Sequence, residues 1–205
     1  MSLYSRLILP YLLDLSLSDP ISSKYRKQLL SEVSGEVLEI GFGTGLNLAY
    51  YPENITKVTT IDPNPGMNRL ARKRIQESKI TVDNRLLSSE DLPFPDNNFD
   101  SIVSTWTLCS IANIDRAIAE IYRVLKPNGK FYFIEHGLSN EAKIQVWQNR
   151  LNPIQKAIGD GCHLNRNIKK ILENQFKSII IEEFYVENAP KIMGYYYKGI
   201  ATKSN

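Results

Sequence analysis

Three glycines at alternate positions follow a short apolar run, and this pattern constrains the fold more than any other feature of the chain. The apolar run covers residues 37–40, and the glycines are Gly41, Gly43 and Gly45. Because glycine lacks a side chain, a strand that ends in this pattern can turn sharply and approach a ligand closely. Asp62 ends the next apolar run, and a carboxylate about 20 residues after such a turn typically binds a ribose diol. The spacing therefore predicts a nucleotide-cofactor site at the ends of two neighbouring parallel strands.

The glycine spacing and one acidic residue indicate which nucleotide cofactor fits. A dinucleotide fingerprint places its third glycine one position later, where a helix N-terminus meets pyrophosphate, but that position is Leu46. Glu39, just before the glycines, would repel pyrophosphate and could instead pair with an ammonium group. The two residues together favour an S-adenosylmethionine site, with S-adenosylhomocysteine as the product.

Size and composition suit one globular α/β domain in the cytoplasm. The chain has 205 residues, 42% of them hydrophobic, and a formal charge of +3. So small a charge argues against a nucleic-acid partner. Cys109 and Cys162 are the two cysteines and do not form a Cys-x-x-Cys pair, so we expect reduced thiols and no disulfide framework. With two histidines and no cluster at ligand spacing, we also expect no metal site.

The N-terminal stretch at residues 3–17 is apolar but interrupted by Arg6, Pro10 and Asp14. It fits neither a signal peptide nor a spanning helix, which needs about 20 uninterrupted apolar residues. We expect it to pack on the domain or to cover the cofactor cleft. The alternative is an interfacial anchor that gives at most peripheral membrane contact.

Apolar runs alternate with segments of helical spacing along most of the chain. The runs predict five strands, at residues 37–40, 58–61, 80–82, 101–104 and 130–135. Strands that alternate with helices imply a parallel sheet, and residues 176–184 and 194–201 are predicted to add two more strands, one of them antiparallel. The fold class is α/β, a single Rossmann-like, doubly wound domain with a seven-stranded, mostly parallel sheet and one antiparallel strand near the C-terminus.

Three helices complete this layout. Ser22 or Ser23 is predicted to cap a helix that Gly35 ends, and a clear apolar stripe predicts another helix over residues 114–125. A third helical pattern over residues 141–159 contains Pro153, which should kink or divide it. The single domain of residues 1–205 is then predicted to comprise an apolar segment and helix (1–34), a cofactor-binding core (35–136), and acceptor-side helices with terminal strands (137–205).

Four motifs, in this order, carry a family resemblance: residues 39–45, 61–67, 90–100 and 123–129. Together they resemble the class I S-adenosylmethionine-dependent methyltransferases, and among these the type 11 methyltransferase domain. The resemblance implies an enzyme that transfers a methyl group to a small-molecule acceptor. It also implies a set of cofactor-binding residues: Glu39, Gly41, Phe42, Gly43, Gly45, Asp62, Pro63, Met67, Ser89, Glu90 and Thr105.

The same resemblance implies a role for each group. The glycines would surround the methionine moiety, and Asp62 would bind the ribose hydroxyls. Pro63 and Met67 would flank adenine, with Ser89 and Glu90 along its edge. Many relatives carry an acidic residue at the position of Ser88, where a serine hydroxyl can also accept a hydrogen bond but carries no charge.

Five further segments carry a closer resemblance: residues 107–111, 131–136, 147–153, 160–166 and 194–199. They are similar to the animal alkyl-thiol methyltransferases. This likeness implies a small, lipophilic thiol as the acceptor. It also implies that Trp106, Trp147 and Cys162 help to form the acceptor pocket, together with His136 and the N-terminal segment.

His136 and His163 are the candidates for catalysis. Methyl transfer is an in-line displacement, so the protein mainly positions donor and acceptor and excludes water. A thiol acceptor with a pKa near 8.5 needs little help, whereas an alcohol or ammonium acceptor would need a base. Either histidine could accept that proton or orient the substrate; the alternative is that each only hydrogen-bonds a loop carbonyl.

Three other functions stay open at this point. The first is N-, O- or C-methylation of a lipid head group or a quinone-like small molecule. The second is a nicotinamide-dependent oxidoreductase, and the third is a cofactor-binding regulator without turnover. For the methyltransferase, the expected assembly is a monomer or a weak dimer.

Overall fold

The computed structural model describes residues 2–205, which contain seven strands and seven α-helices. The strands are β1 Val37–Ile40, β2 Lys57–Ile61, β3 Thr81–Arg85, β4 Phe99–Thr105, β5 Leu125–His136, β6 Ser178–Tyr185 and β7 Tyr195–Thr202. The helices are α1 Leu3–Leu7, α2 Leu9–Leu17, α3 Pro20–Leu30, α4 Pro65–Glu77, α5 Ile114–Val124, α6 Ala142–Ile158 and α7 Ile168–Glu173, with a short 3₁₀ helix at Leu46–Ala49.

All seven of these strands join one sheet in the order β3-β2-β1-β4-β5-β7-β6. Strands β1 to β5 pair in parallel, and β7 runs antiparallel to both β5 and β6. The predicted fold class is therefore confirmed. The strand order reverses between β1 and β4, and ligands of open α/β sheets bind at such a switch point, beyond the carboxyl ends of the strands.

The two faces of the sheet are covered by helices, which is why nearly every residue of the central strands β1 and β4 is buried. Phe131 and Phe133 of β5 pack in a core cluster with α5 and α7. Tyr132 lies between them in the chain and packs in a second cluster with residues of α3. Because successive strand residues point to opposite faces, β5 anchors both helical layers and fixes the position of its last residue, His136.

Helix α5 shows why the apolar stripe was a reliable signal. Its buried face consists of Ala117, Ile118, Ile121 and Val124, and the side chain of Asn113 accepts a hydrogen bond from a backbone N–H of the first turn. This is the spacing of a helix with one face on a core. The observed helix ends one residue before the predicted end.

The helices differ from the predictions in two details. Asp19, not Ser22 or Ser23, caps α3, and its Oδ1 accepts backbone N–H groups at 2.8 and 3.1 Å. Pro20 has the fixed φ that suits a first helical position, so the helix begins earlier than the serines suggest. Pro153 does not divide α6, which is one helix through it; Pro153 is exposed, so water can bind the carbonyl that loses its partner.

Among residues 2–205, no helix has both the length and the apolar character that crossing a bilayer requires.

Candidate active site

A cavity of about 360 Å³ opens at the carboxyl ends of β1, β2 and β4, within the usual size range of small-molecule sites. Ten of the residues predicted from the sequence line it: Gly41, Phe42, Gly43, Asp62, Pro63, Met67, Ser89, Glu90, Thr105 and Trp106. Ser88 lines it as well. The structure thus gathers residues from four separate segments of the chain into one site.

The glycine turn forms the floor of the cavity, and its backbone requires glycine. Gly41 has a φ of 71°, and a Cβ there would lie 2.0 Å from Oγ1 of Thr107. Gly43 also has a positive φ, of 58°, but a Cβ there would meet no atom closer than 3.8 Å. Gly41 therefore lets β1 and the segment after β4 pack closely, whereas Gly43 leaves open space for a ligand.

Asp62 stands at the end of β2 beside this turn. Its Oδ2 accepts the N–H of Gly43 at 2.9 Å, and its Oδ1 accepts the N–H of Asn64 at 2.7 Å. Each carboxylate oxygen can accept a further hydrogen bond, so the side chain can bind a pair of hydroxyls. Burial raises the pKa of Asp62 to about 6, although these two backbone donors oppose the rise. The carboxylate is thus charged at neutral pH.

Glu39 lies behind the glycine turn and is not among the cavity-lining residues. Its Oε1 accepts a hydrogen bond from Asn47 Nδ2 at 2.9 Å, and its Oε2 accepts one from the Tyr51 hydroxyl at 2.7 Å. Burial raises the pKa of Glu39 to about 7. Asn47, which does line the cavity, stands between the carboxylate and any ligand. Gly45 is also outside the lining, packed against the Phe42 ring.

Arg26 is a cavity-lining residue that the sequence did not reveal. Its side chain is buried, with 3% of the residue exposed, and its guanidinium carbon lies 4.6 Å from the centre of the Trp106 ring. Arg26 Nε donates to Asn47 Oδ1 at 3.0 Å, and Nη1 donates to the Leu17 carbonyl at 2.6 Å. A permanent positive charge therefore lies beside the aromatic wall of the site.

The N-terminal helices cover one side of the cavity, as one of the alternatives predicted. Leu9, Leu13, Asp14 and Leu17 line it. Asp14 fixes this cover because its carboxylate accepts hydrogen bonds from Arg74 Nη1, at 2.7 Å, and from the hydroxyl of Thr44 in the glycine turn.

Four predicted acceptor-side residues are not among those that line the cavity: His136, His163, Trp147 and Cys162. Trp147 is half-exposed on α6 and packs against Arg150, so the structure does not place it in a pocket with Trp106. The backbone N–H of His163 donates to the Cys109 carbonyl. Burial lowers the pKa of His163.

His136 and Cys162 instead form a cluster with Cys109. His136 Nε2 lies 3.0 Å from Cys162 Sγ, and that sulfur lies 3.6 Å from Cys109 Sγ. The Cys109 hydrogen bond and burial raise the pKa of Cys162. These residues are far apart in the sequence, so motif spacing could not show that the fold gathers a possible ligand set.

Comparison with known proteins identifies the chain. A family model described as a methyltransferase domain matches residues 38–133. Thiol S-methyltransferase TMT1B of Rattus norvegicus is 35% identical over 170 residues, which are 77% of this chain and 69% of the relative. Human thiol S-methyltransferase TMT1A is 35% identical over 167 residues, 76% of this chain and 68% of the relative. The chain belongs to the class I S-adenosylmethionine-dependent methyltransferases.

Solved structures agree on the fold of this methyltransferase. A possible histamine N-methyltransferase from Thermotoga maritima superposes with a TM-score of 0.69 at 18% identity, covering 98% of both chains. Phospholethanolamine N-methyltransferase 2 of Haemonchus contortus, in complex with S-adenosylhomocysteine, gives a TM-score of 0.72 at 16% identity, covering 96% of this chain and 57% of that one. The predicted enzyme class and cofactor, S-adenosylmethionine, are confirmed.

The residues present fit this cofactor. A diol-binding carboxylate needs free acceptor capacity, which Asp62 retains after bonding Gly43 and Asn64. A nucleoside also needs room above the turn, which a side chain at Gly43 would partly fill.

Proposed function

We propose that this methyltransferase acts on the sulfur of a small, lipophilic thiol. The observation that carries the acceptor class is the buried Arg26 beside Trp106, because a fixed cation favours a thiolate and disfavours a protonated amine. The names of the relatives, thiol S-methyltransferases at about one-third identity, support the same acceptor. Apolar side chains also line the cavity and suit a lipophilic substituent: Leu9, Leu13, Leu17, Ile111 and Ala112.

We further propose that residues of the cavity lining bind the parts of S-adenosylmethionine. Asp62 binds the ribose hydroxyls, and Gly41 to Gly43 lie along the methionine moiety. Pro63 and Met67 flank the adenine, with Ser88, Ser89 and Glu90 at its edge. When bound, S-adenosylmethionine supplies an electrophilic methyl group on a cationic sulfur.

Glu39 acts through Asn47 in this proposal. Asn47 is held by Glu39, Arg26 and Thr105, so its amide is fixed where the amino-acid end of a ligand would lie. When ionised, the buried carboxyl group contributes negative charge behind that amide. It therefore stabilises an ammonium group without touching it.

No histidine is among the cavity-lining residues, and this agrees with an acceptor that needs no general base. A thiol near its ordinary pKa of about 8.5 already supplies some thiolate at neutral pH. The residues of the site then mainly orient the two reactants and exclude water, which accounts for a large part of catalysis in displacement reactions. The N-terminal helices provide that exclusion on one side.

The experiment is a methyl-transfer assay with labelled S-adenosylmethionine and matched acceptors that share one alkyl chain but end in a thiol, an amine or a hydroxyl. We expect label on the thiol alone. Arg26→Lys keeps a cation and should retain the preference, whereas Arg26→Met should weaken it. Labelled amine or alcohol with unlabelled thiol would refute the acceptor assignment.

A further inference from the structure

Cys109, His136 and Cys162 form a compact cluster beside the cofactor cavity. They come from three parts of the fold: the segment after β4, the last residue of β5 and the segment after α6. Their ligand atoms all lie within 4.8 Å of one another. Only 3% of Cys109 and 8% of Cys162 is exposed, whereas His136 is partly exposed. Two buried thiols thus face an imidazole that keeps some contact with solvent.

The spacing of these atoms is close to that of a tetrahedral zinc site. Zn–S bonds of about 2.3 Å and Zn–N bonds of about 2.0 Å place two sulfurs about 3.8 Å apart, and a sulfur and a nitrogen about 3.5 Å apart. The two sulfurs of the cluster are 3.6 Å apart, and His136 Nε2 is 3.0 Å from Cys162 Sγ. Small side-chain rotations would open the second distance, so the backbone already has the required arrangement.

The chemistry of the donor set selects the metal. Thiolate and imidazole ligands suit Zn²⁺ and other soft or borderline cations, whereas Mg²⁺ and Ca²⁺ take oxygen ligands. Two thiolates neutralise a divalent ion, so a filled site adds no net charge to the interior. Each thiol releases one proton to solvent when its sulfur binds the metal.

Two ionisable side chains, Arg166 and Glu135, lie within electrostatic reach of the cluster. Burial raises the pKa of Glu135. The Arg166 guanidinium is held by the carbonyls of Leu108 and Ile111. Because Arg166 is bonded to these backbone carbonyls, a metal ion could bind the two thiols without breaking an ion pair between them and Arg166.

The cluster adjoins the cavity wall. Ser110 lines the cavity, and its hydroxyl lies 3.5 Å from Cys109 Sγ. Gly159 and Asp160, which also line the cavity, lie just before Cys162 in the chain. Three protein ligands leave the fourth position of a tetrahedral ion free, as in catalytic zinc sites.

We propose that Cys109, His136 and Cys162 bind one Zn²⁺ ion, whose fourth position takes the sulfur of the acceptor. The second part rests on the proposed thiol acceptor. In that step the zinc–sulfur bond forms as the S–H bond breaks, the proton goes to solvent, and the sulfur keeps the electron pair for attack on the methyl group. His136 is then a metal ligand and not a base.

The first test is the metal content of the full chain, reduced, freed of metal, dialysed against Zn²⁺ and measured by mass spectrometry of the elements. We expect one zinc ion per chain and a loss of at least about tenfold in affinity in Cys109→Ser and Cys162→Ser. His163→Asn is the matched control, because it removes the other histidine outside the cluster, and it should keep the ion. Absence of zinc from the wild type, or full zinc in both serine variants, would overturn the proposal.

Loading the wild type with Co²⁺ tests the same site even if the serine variants fail to fold. A cobalt ion on two thiolates should show sulfur-to-cobalt charge-transfer absorption and tetrahedral visible bands. An added alkyl thiol should shift these bands, whereas the matched alcohol should not. Absence of the charge-transfer bands would exclude the cysteine ligands, and a spectrum that the thiol leaves unchanged would exclude acceptor binding to the metal.

The zinc site and the thiol acceptor can fail independently in these experiments. Thiol methylation at full rate by protein that binds no zinc would refute the metal site and leave the thiol acceptor standing. One zinc per chain in a protein that methylates only amines would refute the acceptor and leave the metal site standing.

Discussion

The proposed cofactor side and the proposed acceptor side of this cavity are built in different ways. On the cofactor side, one backbone turn and one carboxylate do most of the positioning: Gly41 and Gly43 belong to the same turn, and the Gly43 N–H donates directly to the Asp62 carboxylate. On the acceptor side, Leu13, Arg26 and Trp106 come from α2, α3 and the segment after β4. A site made of backbone tolerates few changes, whereas a wall of separate side chains can vary.

The comparison predicts that the largest loss comes from the glycine turn. Gly41→Ala would force a Cβ into Thr107 at a positive φ, and strain plus overlap should destabilise the fold by about 2–4 kcal/mol. Gly43→Ala is the control, because it carries only the φ strain and should lose about 1–2 kcal/mol. Urea unfolding measures both, and equal losses would show that the close packing at Gly41 is unimportant.

Glu39, behind the glycine turn, should make the stability of the fold depend on pH. Its pKa in the folded chain is about 7, against an ordinary 4.5. Between these values the folded state holds a proton that the unfolded state has released, so stability should fall as pH rises, by up to about 3 kcal/mol. Glu39→Gln should lose this dependence, and the exposed Glu36→Gln should keep it. Parallel stability curves for wild type and Glu39→Gln between pH 4.5 and 7 would contradict the cause.

Asp62 tests the cofactor contact itself. Asp62→Asn should weaken S-adenosylhomocysteine binding by about 1–3 kcal/mol at pH 8, the scale of hydrogen bonds to a charged group. In the wild type, affinity should fall about tenfold per unit below pH 6, where the carboxylate becomes protonated. Calorimetry across pH measures both effects. A flat wild-type profile alongside an unaffected Asp62→Asn would place the ribose elsewhere.

The smallest change in stability is expected from breaking the Asp14–Arg74 ion pair, which holds the N-terminal helices over the cavity. Asp14 and Arg74 are partly exposed, at 28% and 33% of their side chains, and such a pair contributes about 0.5–1 kcal/mol. Asp14→Asn should therefore hardly change the melting temperature but should speed dissociation of S-adenosylhomocysteine, measured by stopped flow. If Asp14→Asn destabilised the fold as much as Gly41→Ala, the glycine turn would not be more sensitive to substitution than the N-terminal helices.

The same contrast explains how far the sequence could be interpreted. The strands, helix α5 and the cofactor turn follow local rules, namely apolar periodicity and glycine at positive φ, so residues 37–62 and 114–125 could be assigned from the sequence. Arg26 could not, because an arginine in a polar helix gives no sign that tertiary packing will bury it. Asn47 likewise gains its role only through Glu39 and Arg26.

Motif spacing could not predict the cluster of Cys109, His136 and Cys162. Cys109, His136 and Cys162 meet because β4 and β5 are adjacent and α6 returns the chain to the same edge of the sheet. No regular interval in the sequence encodes that meeting. Trp147 was assigned to the acceptor pocket from the family likeness, and the sequence could not show that half of its surface is exposed on α6.

Because α2 docks onto the glycine turn, proteolysis of the N-terminal helices should affect the active site more than the fold. A protease that removed residues 2–17 would leave every strand of the sheet in place while opening one flank of the active site to water. Such a trimmed enzyme would still melt cooperatively and would retain its nucleoside poorly. Loss of methylation without loss of folding would then report cleavage within the first two helices.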